Sequence, residues 1–564
     1  MIALGFSVGH DSGAVLIKNG EVLVGISDER ISRTKNSNNI DNTILPIKCI
    51  EYCLNELGLD KSEVDIYVYN ATIECHDIIE SQFKEWNPIS TLEFAPHHLV
   101  HAYSSFYSSN FDESVIVVAD AMGNVLTKGG KSWNWFNENS SLNLIDTSDE
   151  EYDWAEGITI YHVKNNKFEE VYKKWIKYPF PWEVGGEETS VGGYYGMGTL
   201  QLVYDKKTNS WKSGKLMGLA SYADAKFVNE YPIQIQKQGN NVFIPTIINY
   251  PEINYESDFK SKSNVAGIYQ REQEQVSMWL VEIAYELTNS SNICVAGGSF
   301  LNCNTNEKII NSGLFKNQYF VPPADDSGIP LGCAWYGYLK LNPSHKNPKQ
   351  FQSPYFGKTY SKENILSDIE ITSQYSRYSF NYYDNFEELI EIVANELKEG
   401  RVVGWFQGGS EIGPRALGNR SILANPQYQW MTNYVNELKG REWYRPFAPS
   451  VMYDKQSQVF ELDYYSPYML VTTHVKNKWK SKIPAVTHID GTSRYQSVTK
   501  ELNERYYKLI NKFYSITNIP LLLNTSFNGP NEPIVESPKD AIDTFLKQGL
   551  HILVIGNFIF KQYK

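Results

Sequence analysis

Five cationic side chains, Arg415, Arg420, Lys439, Arg441 and Arg445, share a stretch of sequence whose only acids are Glu437 and Glu442, in a chain of formal net charge -13. Guanidinium forks match phosphate and carboxylate oxygens in pairs, so the concentration points to an anionic ligand, and to a phosphorylated or acyl-phosphate substrate first. A charge run alone is more often a solvated face with weak ion pairs. The residues between the cations decide against that here. Gly404-Trp-Phe-Gln-Gly-Gly-Ser-Glu-Ile-Gly-Pro-Arg-Ala-Leu-Gly-Asn-Arg420 and Lys439-Gly-Arg-Glu-Trp-Tyr-Arg-Pro-Phe447 are rich in glycine, proline and aromatics, which describe shaped loop backbone and not a helix surface. Arg494, within His488-Ile-Asp-Gly-Thr-Ser-Arg-Tyr-Gln496, adds a cation. Asn524, Ser526 and Asn528 close an apolar run from Leu521 and can orient a phosphate or an amide. No G-x-x-x-x-G-K-[ST] sequence occurs, so the anion site is not a P-loop.

A second constellation has metal-ligand spacing. In Pro96-His97-His98-Leu-Val-His101, His97 and His101 are four residues apart and fall on one face of a helix. Two neutral imidazoles so placed suit Fe, Zn, Mn or Co, although capping or packing explains such a pair equally well. No glutamate follows His97, which removes the H-E-x-x-H protease reading. Further ligands have to be carboxylates, and the candidates are Asp120, after the apolar run Ser114–Ala119, and Asp326 in Pro322-Pro-Ala-Asp-Asp-Ser-Gly328.

The elements that position these groups follow from periodicity. Ile2–Ser7, Ala14–Lys18 and Glu21–Ser27 read as strands, with Asn19-Gly20 as a two-residue hairpin turn and Gly9-His-Asp-Ser-Gly13 as a short polar loop. Ser114–Ala119 and Ile293–Ala296 are buried strands ending in Asp120 and in Gly297-Gly298, and doubly wound sheets place ligands at such strand ends. The alternation of strand, polar tip and helix on both sides of residue 200 predicts a duplicated α/β architecture. Beyond an aperiodic, proline-rich stretch, Arg401–Phe406 opens a second domain. The boundaries are 1–345 for the first domain, 346–360 for a linker and 361–564 for the second.

At 564 residues the chain exceeds one hydrophobic core. Its acidic balance argues against nucleic acid as partner. No apolar run is long enough for a bilayer, and the opening Met-Ile-Ala-Leu-Gly-Phe-Ser lacks a basic leader, so a cytoplasmic protein without membrane partners is expected. Six cysteines without a C-x-x-C pair read as reduced core thiols.

The arginine-rich segment, and with it both ends of the chain, closely resembles the O-carbamoyltransferases of antibiotic, toxin and nodulation-factor pathways. That resemblance implies an actin-like metal domain, duplicated as in the sugar-kinase and actin superfold, fused to a YrdC-like α/β adenylate-forming domain. It implies ATP, Mg²⁺ and one transition metal, iron first with zinc or manganese as alternatives, held by His97, His101, Asp120 and Asp326, with Asp326 preferred over Asp325. Arg415, Arg420, Lys439, Arg441, Arg445, Arg494, Asn524, Ser526 and Asn528 would take carbamoyl phosphate and ATP. Lys215, Gly218, Gly297, Gly298 and Asn302 would hold the adenylate in the first domain. His10 and Asp224 are the candidates for deprotonating a hydroxyl of a small-molecule acceptor, although Ser221-Tyr-Ala-Asp224 departs from the family's Pro-Tyr-Gly-Asp. The expected reaction makes carbamoyladenylate and passes the carbamoyl group to that hydroxyl. A sugar kinase would leave the arginine-rich segment without work, and a tRNA-modifying enzyme of the threonylcarbamoyl type would need a basic surface that this composition does not offer.

Overall fold

Asn19 and Gly20 both have positive φ, as a two-residue hairpin between right-twisted strands requires. In a computed structural model, which describes residues 1–35, 43–140, 153–178, 187–204, 213–246, 258–346, 353–373 and 378–562, they join β2 (Gly13–Lys18) to β3 (Glu21–Ser27). The fully buried β1 (Ile2–Val8) pairs antiparallel with β2 on one side. On its other side β4 (Ile66–Ala71) and then β5 (Leu92–Phe94) add in parallel, giving the order β3-β2-β1-β4-β5.

A second sheet repeats this plan. Its central β6 (Glu113–Ala119) is followed by the short β7 (Val125–Leu126), β8 (Asp153–Lys164) and β9 (Lys167–Tyr178). A separate hairpin, β10 (Gln236–Gln238) with β11 (Asn241–Phe243), precedes β12 (Asn292–Ala296) and β13 (Asn317–Phe320). β6 runs antiparallel to β8 and β8 to β9, while β12 and β13 join β6 in parallel. Each sheet is therefore a parallel trio continued by an antiparallel meander, and the α/β duplication expected from the sequence is present in the topology. Polar tips collect where parallel strands end: His10 after β1, Asn70 near the end of β4, Asp120 after β6 and Gly297 after β12.

The helix Ile329–Leu341 packs close to backbone on two sides. A side chain at Gly5 would lie 2.1 Å from the Ala334 nitrogen, and one at Gly332 would lie 1.8 Å from the Val100 carbonyl. Glycine at both positions lets this helix wedge between β1 and the helix His97–Ser108. All six cysteines are buried and free. Among the described residues no helix is long and apolar enough to cross a membrane.

The chain divides into one unit of Met1–Asp28 with Ser37–Phe351 and another of Glu29–Asn36 with Gln352–Lys564. The main division thus falls after Phe351, and residues 29–36 group with the second unit. The second unit is built on one nine-stranded mixed sheet. Its strands are β14 (Tyr378–Tyr382), β15 (Val403–Phe406), β16 (Arg420–Ala424), β17 (Ala448–Met452), β18 (Val471–His474), β19 (Thr492–Val498), β20 (Leu521–Ser526), β21 (Ile552–Ile555) and β22 (Phe558–Gln562), ordered β14-β22-β21-β15-β16-β20-β17-β19-β18.

Hydrogen bonds explain why the early segment sits in the second unit. Buried Arg30 donates to the Gly413 carbonyl at 3.0 Å, and Arg33 donates to the carbonyls of Ile534 (2.7 Å) and Pro533 (3.0 Å). Arg33 also faces Asp540 at 3.6 Å. Leaving buried carbonyls without donors costs about 1–3 kcal/mol each. A fragment of residues 352–564 is therefore expected to melt several degrees below the same fragment with residues 28–36 grafted on through a flexible linker. Equal thermal midpoints would reduce the segment to decoration.

Candidate metal and anion-binding sites

The structure brings His97, His101, Asp120 and Asp326 together, with one ligand atom from each lying within 4.8 Å of all the others. Pro96, in extended conformation, starts the helix that places His97 and His101 one turn apart. Asp120 follows β6, and Asp326 opens the 3₁₀ turn leading into Ile329–Leu341. His101 Nε2 lies 3.1 Å from Asp120 Oδ2 and 3.5 Å from Asp326 Oδ1, and His97 Nε2 lies 3.6 and 3.5 Å from the same two atoms. Asp325 is not in this set, and its carboxylate instead accepts from the Ser327 hydroxyl.

The electrostatics fit a cation. Burial works against a charged His97, yet Asp326 and Asp120 outweigh it and lift the imidazole to about 10. Burial and Asp326 oppose ionisation of Asp120, but His101 and His97 hold it down at about 2. Protons on the imidazoles stand where a divalent ion would balance two carboxylates. His97 Nε2 is buried without a hydrogen-bond partner among the described residues and faces both acids. Two imidazole nitrogens with two carboxylate oxygens suit a first-row transition ion.

His10 lies in the turn between β1 and β2, where Gly9 (φ 115°) and Asp11 (φ 56°) take left-handed backbone. Its side chain is 68% exposed, with Nε2 3.6 Å from Asp326 Oδ2 and Nδ1 3.3 Å from Asp11 Oδ2. The Asp11 hydrogen bond first, and Asp326 second, raise the imidazole to about 9. Asp224 is exposed and caps the helix Ala225–Glu230, accepting from the amides of Lys226 (3.0 Å) and Phe227 (3.3 Å). That carboxylate already has a structural task.

Gly297 and Gly298 border the metal-ligand group. A side chain at Gly297 (φ 94°) would meet the Ala119 carbonyl at 2.3 Å, and one at Gly298 would lie 3.3 Å from Asp120 Oδ1. Lys215 and Gly218 are buried in the helix Ser213–Ala220. Asn302 caps the helix Cys303–Asn311 and exchanges two 3.0 Å hydrogen bonds with Gln270, which also accepts from Tyr195 and donates to Glu274. The sequence alone does not single out Gln270, Glu274 or Tyr195. The signal for Gln270 and Glu274 is polar residues on the buried face of the helix Phe259–Thr288, and Tyr195 lies on the helix Val191–Val203.

In the second unit the cations separate into two roles. Arg420 is fully buried over the Phe406 ring, and its Nη1 donates to the carbonyls of Gln407 (2.7 Å), Gly408 (3.0 Å) and Asn419 (3.1 Å). It braces the loop between β15 and β16, so the expectation that Arg420 reaches a substrate is replaced by a structural part. Buried Glu411 braces the same loop, with Oε1 accepting from the amides of Leu417, Asn419 and Arg420 at 2.8, 2.8 and 3.1 Å. Asn524 supports it from β20 by donating to the Ala416 carbonyl at 3.1 Å.

The other cations converge. Arg441 is pushed well below its ordinary value by burial and then by Arg445, Arg494 and, further down, Arg415, with Glu442 opposing. Lys439 is likewise depressed by burial, Arg441, Lys35 and Arg445. Its ammonium is held by Asn528 Oδ1 (2.7 Å), the Asn528 carbonyl (3.1 Å), Ser526 Oγ (3.3 Å) and the Ser526 carbonyl. Lys35 enters from the displaced segment, and the run Arg30–Lys35 just after β3 is the signal by which sequence reading could have found it.

The first unit thus gathers two histidines and two aspartates, and the second gathers arginines about Arg441. Residues 3–88 and 78–335 match the family description Carbamoyltransferase N-terminus, and residues 394–562 match Carbamoyltransferase C-terminus. The chain belongs to the O-carbamoyltransferase family and is a carbamoyltransferase. It is 30% identical to Nodulation protein NolNO of Sinorhizobium fredii over 98% of this chain and 79% of the relative. It is also 30% identical to 3'-hydroxymethylcephem-O-carbamoyltransferase of Amycolatopsis lactamdurans, over 61% of this chain and 64% of the relative. A crystal structure of full-length HypF in the phosphate- and nucleotide-bound form is similar at TM-score 0.37 and 15% identity, over 61% of this chain and 56% of HypF.

Metal uptake must displace the proton from His97, which the carboxylates keep charged up to about 10, so affinity is expected to rise with pH through neutrality and uptake to acidify an unbuffered solution. His97→Ala and Asp326→Ala should each lose the ion on elemental analysis. Full occupancy in both variants, or uptake without proton release, would return these side chains to packing.

Proposed function

We propose that this chain is an ATP-dependent O-carbamoyltransferase that activates carbamoyl phosphate as carbamoyladenylate in its C-terminal unit. Its N-terminal, actin-like unit then passes the carbamoyl group to a hydroxyl of a small natural-product acceptor. The observation that carries the first half is the gathering of cations about Arg441, which burial first and then Arg445, Arg494 and Arg415 push well below its ordinary value. Carbamoyl phosphate gives up its phosphate to water, and the resulting carbamate oxygen attacks the α-phosphorus of Mg²⁺-ATP, expelling pyrophosphate. Both partners are anions. The converging guanidiniums lower their repulsion and stabilise charge on the oxygens at the transition state.

For the second half, the acceptor hydroxyl attacks the carbamoyl carbon and AMP leaves. His97, His101, Asp120 and Asp326 would hold a transition ion, which would supply Lewis-acid polarisation of the carbonyl oxygen. His10, exposed and beside Asp326, would take the hydroxyl proton from its neutral form, which a cation balancing Asp326 would favour against the carboxylates that raise the imidazole. The capping bonds of Asp224 favour His10 over it as the base. The same reading gives the C-terminal unit a YrdC-like adenylate-forming role and places the enzyme in the cytoplasm, where ATP and carbamoyl phosphate are made.

Incubation with ATP, Mg²⁺ and carbamoyl phosphate, without acceptor, is expected to yield carbamoyladenylate by mass spectrometry. Arg415→Ala, Arg445→Ala and Arg494→Ala should each slow pyrophosphate release by about a hundredfold or more. His10→Ala should still make the adenylate and fail in transfer, whereas Arg420→Ala should lose stability along with activity. Hydrolysis of ATP to ADP with no AMP would displace the whole reading.

A further inference from the structure

Two amides outside the ligand set determine which nitrogen of His97 can reach an ion. Asn70, at the end of β4, donates from Nδ2 to the Ala95 carbonyl at 2.8 Å. A carbonyl oxygen only accepts, so the orientation of this amide is fixed and Oδ1 points the other way. There it lies 3.1 Å from His97 Nδ1. Asn124 is fixed by the same logic: its Nδ2 donates to the Ala71 carbonyl at 2.6 Å, and its Oδ1 accepts from the His97 amide (2.6 Å) and from Asn70 Nδ2 (3.3 Å). Both side chains are buried, at 2% and 0% exposure, so water does not compete for these bonds.

An amide oxygen at Nδ1 requires a proton on Nδ1. In the neutral ring Nε2 then carries the lone pair, and Nε2 is the atom that faces Asp120 and Asp326. We infer that Asn70, locked by Ala95 and Asn124, is a positioning residue that sets the tautomer and ring orientation of His97 for metal binding. The inference rests on the metal reading given above and assigns a further residue to it. Outer partners of this kind are worth about 10–100-fold in metal affinity.

The two ends of the Asn70 amide make the inference testable apart from folding. Asn70→Asp keeps the acceptor toward His97 and loses the donor toward Ala95, whereas Asn70→Leu loses both. Full-length, metal-free protein titrated with Co²⁺ and with Zn²⁺ against a competing chelator is expected to show Asn70→Leu weakened by about 10–100-fold. Asn70→Asp should bind as tightly as wild type or tighter, while both variants melt below wild type in the metal-free state. Metal affinity would then follow the acceptor, and stability the donor. Equal weakening in both variants, or wild-type affinity in Asn70→Leu, would overturn the assignment. Failure of the wild type to bind either ion would instead defeat the metal reading itself.

Discussion

Like charges held close together are the constraint that the C-terminal unit is built around. Beyond burial, Arg441 is pushed down by Arg445, Arg494 and Arg415, and Lys439 by Arg441, Lys35 and Arg445, and such an arrangement survives only if the surrounding backbone is tied down more strongly than the cations push apart. The ties are unusually direct. One carboxylate oxygen of Glu411 collects three amides of the loop that carries Arg415, and Arg420 collects three carbonyls from the same loop. The loop is braced from below by one buried anion and one buried cation, neither spent on the ligand.

The same logic accounts for the displaced segment. A loop with this many fixed amides exposes carbonyls that need donors, and Arg30 supplies one to Gly413 from far away in sequence. Because Arg30 to Lys35 follows directly on β3, one short stretch both continues the first unit's opening meander and finishes the second unit's loops. The two halves of the chain are therefore not separable at a single peptide bond.

Legibility from the sequence followed the range of the forces involved. The opening hairpin, the buried central strands and the helix from His97 were readable because turn chemistry and apolar periodicity act locally. The duplication was readable as a pattern and is confirmed by the matching strand orders. His97 and His101 were readable from spacing on one helix and Asp120 from its place after a buried strand, and the structure gathers them with Asp326. Arg420 was misjudged because its motif marks the loop and not which guanidinium leaves it. Lys35, Gln270 and Asn70 were not found, since each acts through a partner tens to hundreds of residues away or through a backbone carbonyl. No local pattern records such contacts.

A choice of side-chain chemistry behind the metal-ligand group shows how far desolvation governs the N-terminal unit. A carboxylate at position 70 would accept from His97 Nδ1 as well as an amide does and would make the imidazole a stronger donor to an ion. It would also bury a third negative charge near Asp120 and Asp326, which already oppose each other's ionisation and stay ionised only through their histidines. In the metal-free chain that charge would share His97 with Asp120 and Asp326, and a buried carboxylate without a cation of its own is strongly disfavoured. The amide supplies the acceptor without the charge, and its second end satisfies the Ala95 carbonyl, which an Asp could not do. Asn70 thus gives up some ligand strength in exchange for a site that can fold before an ion arrives.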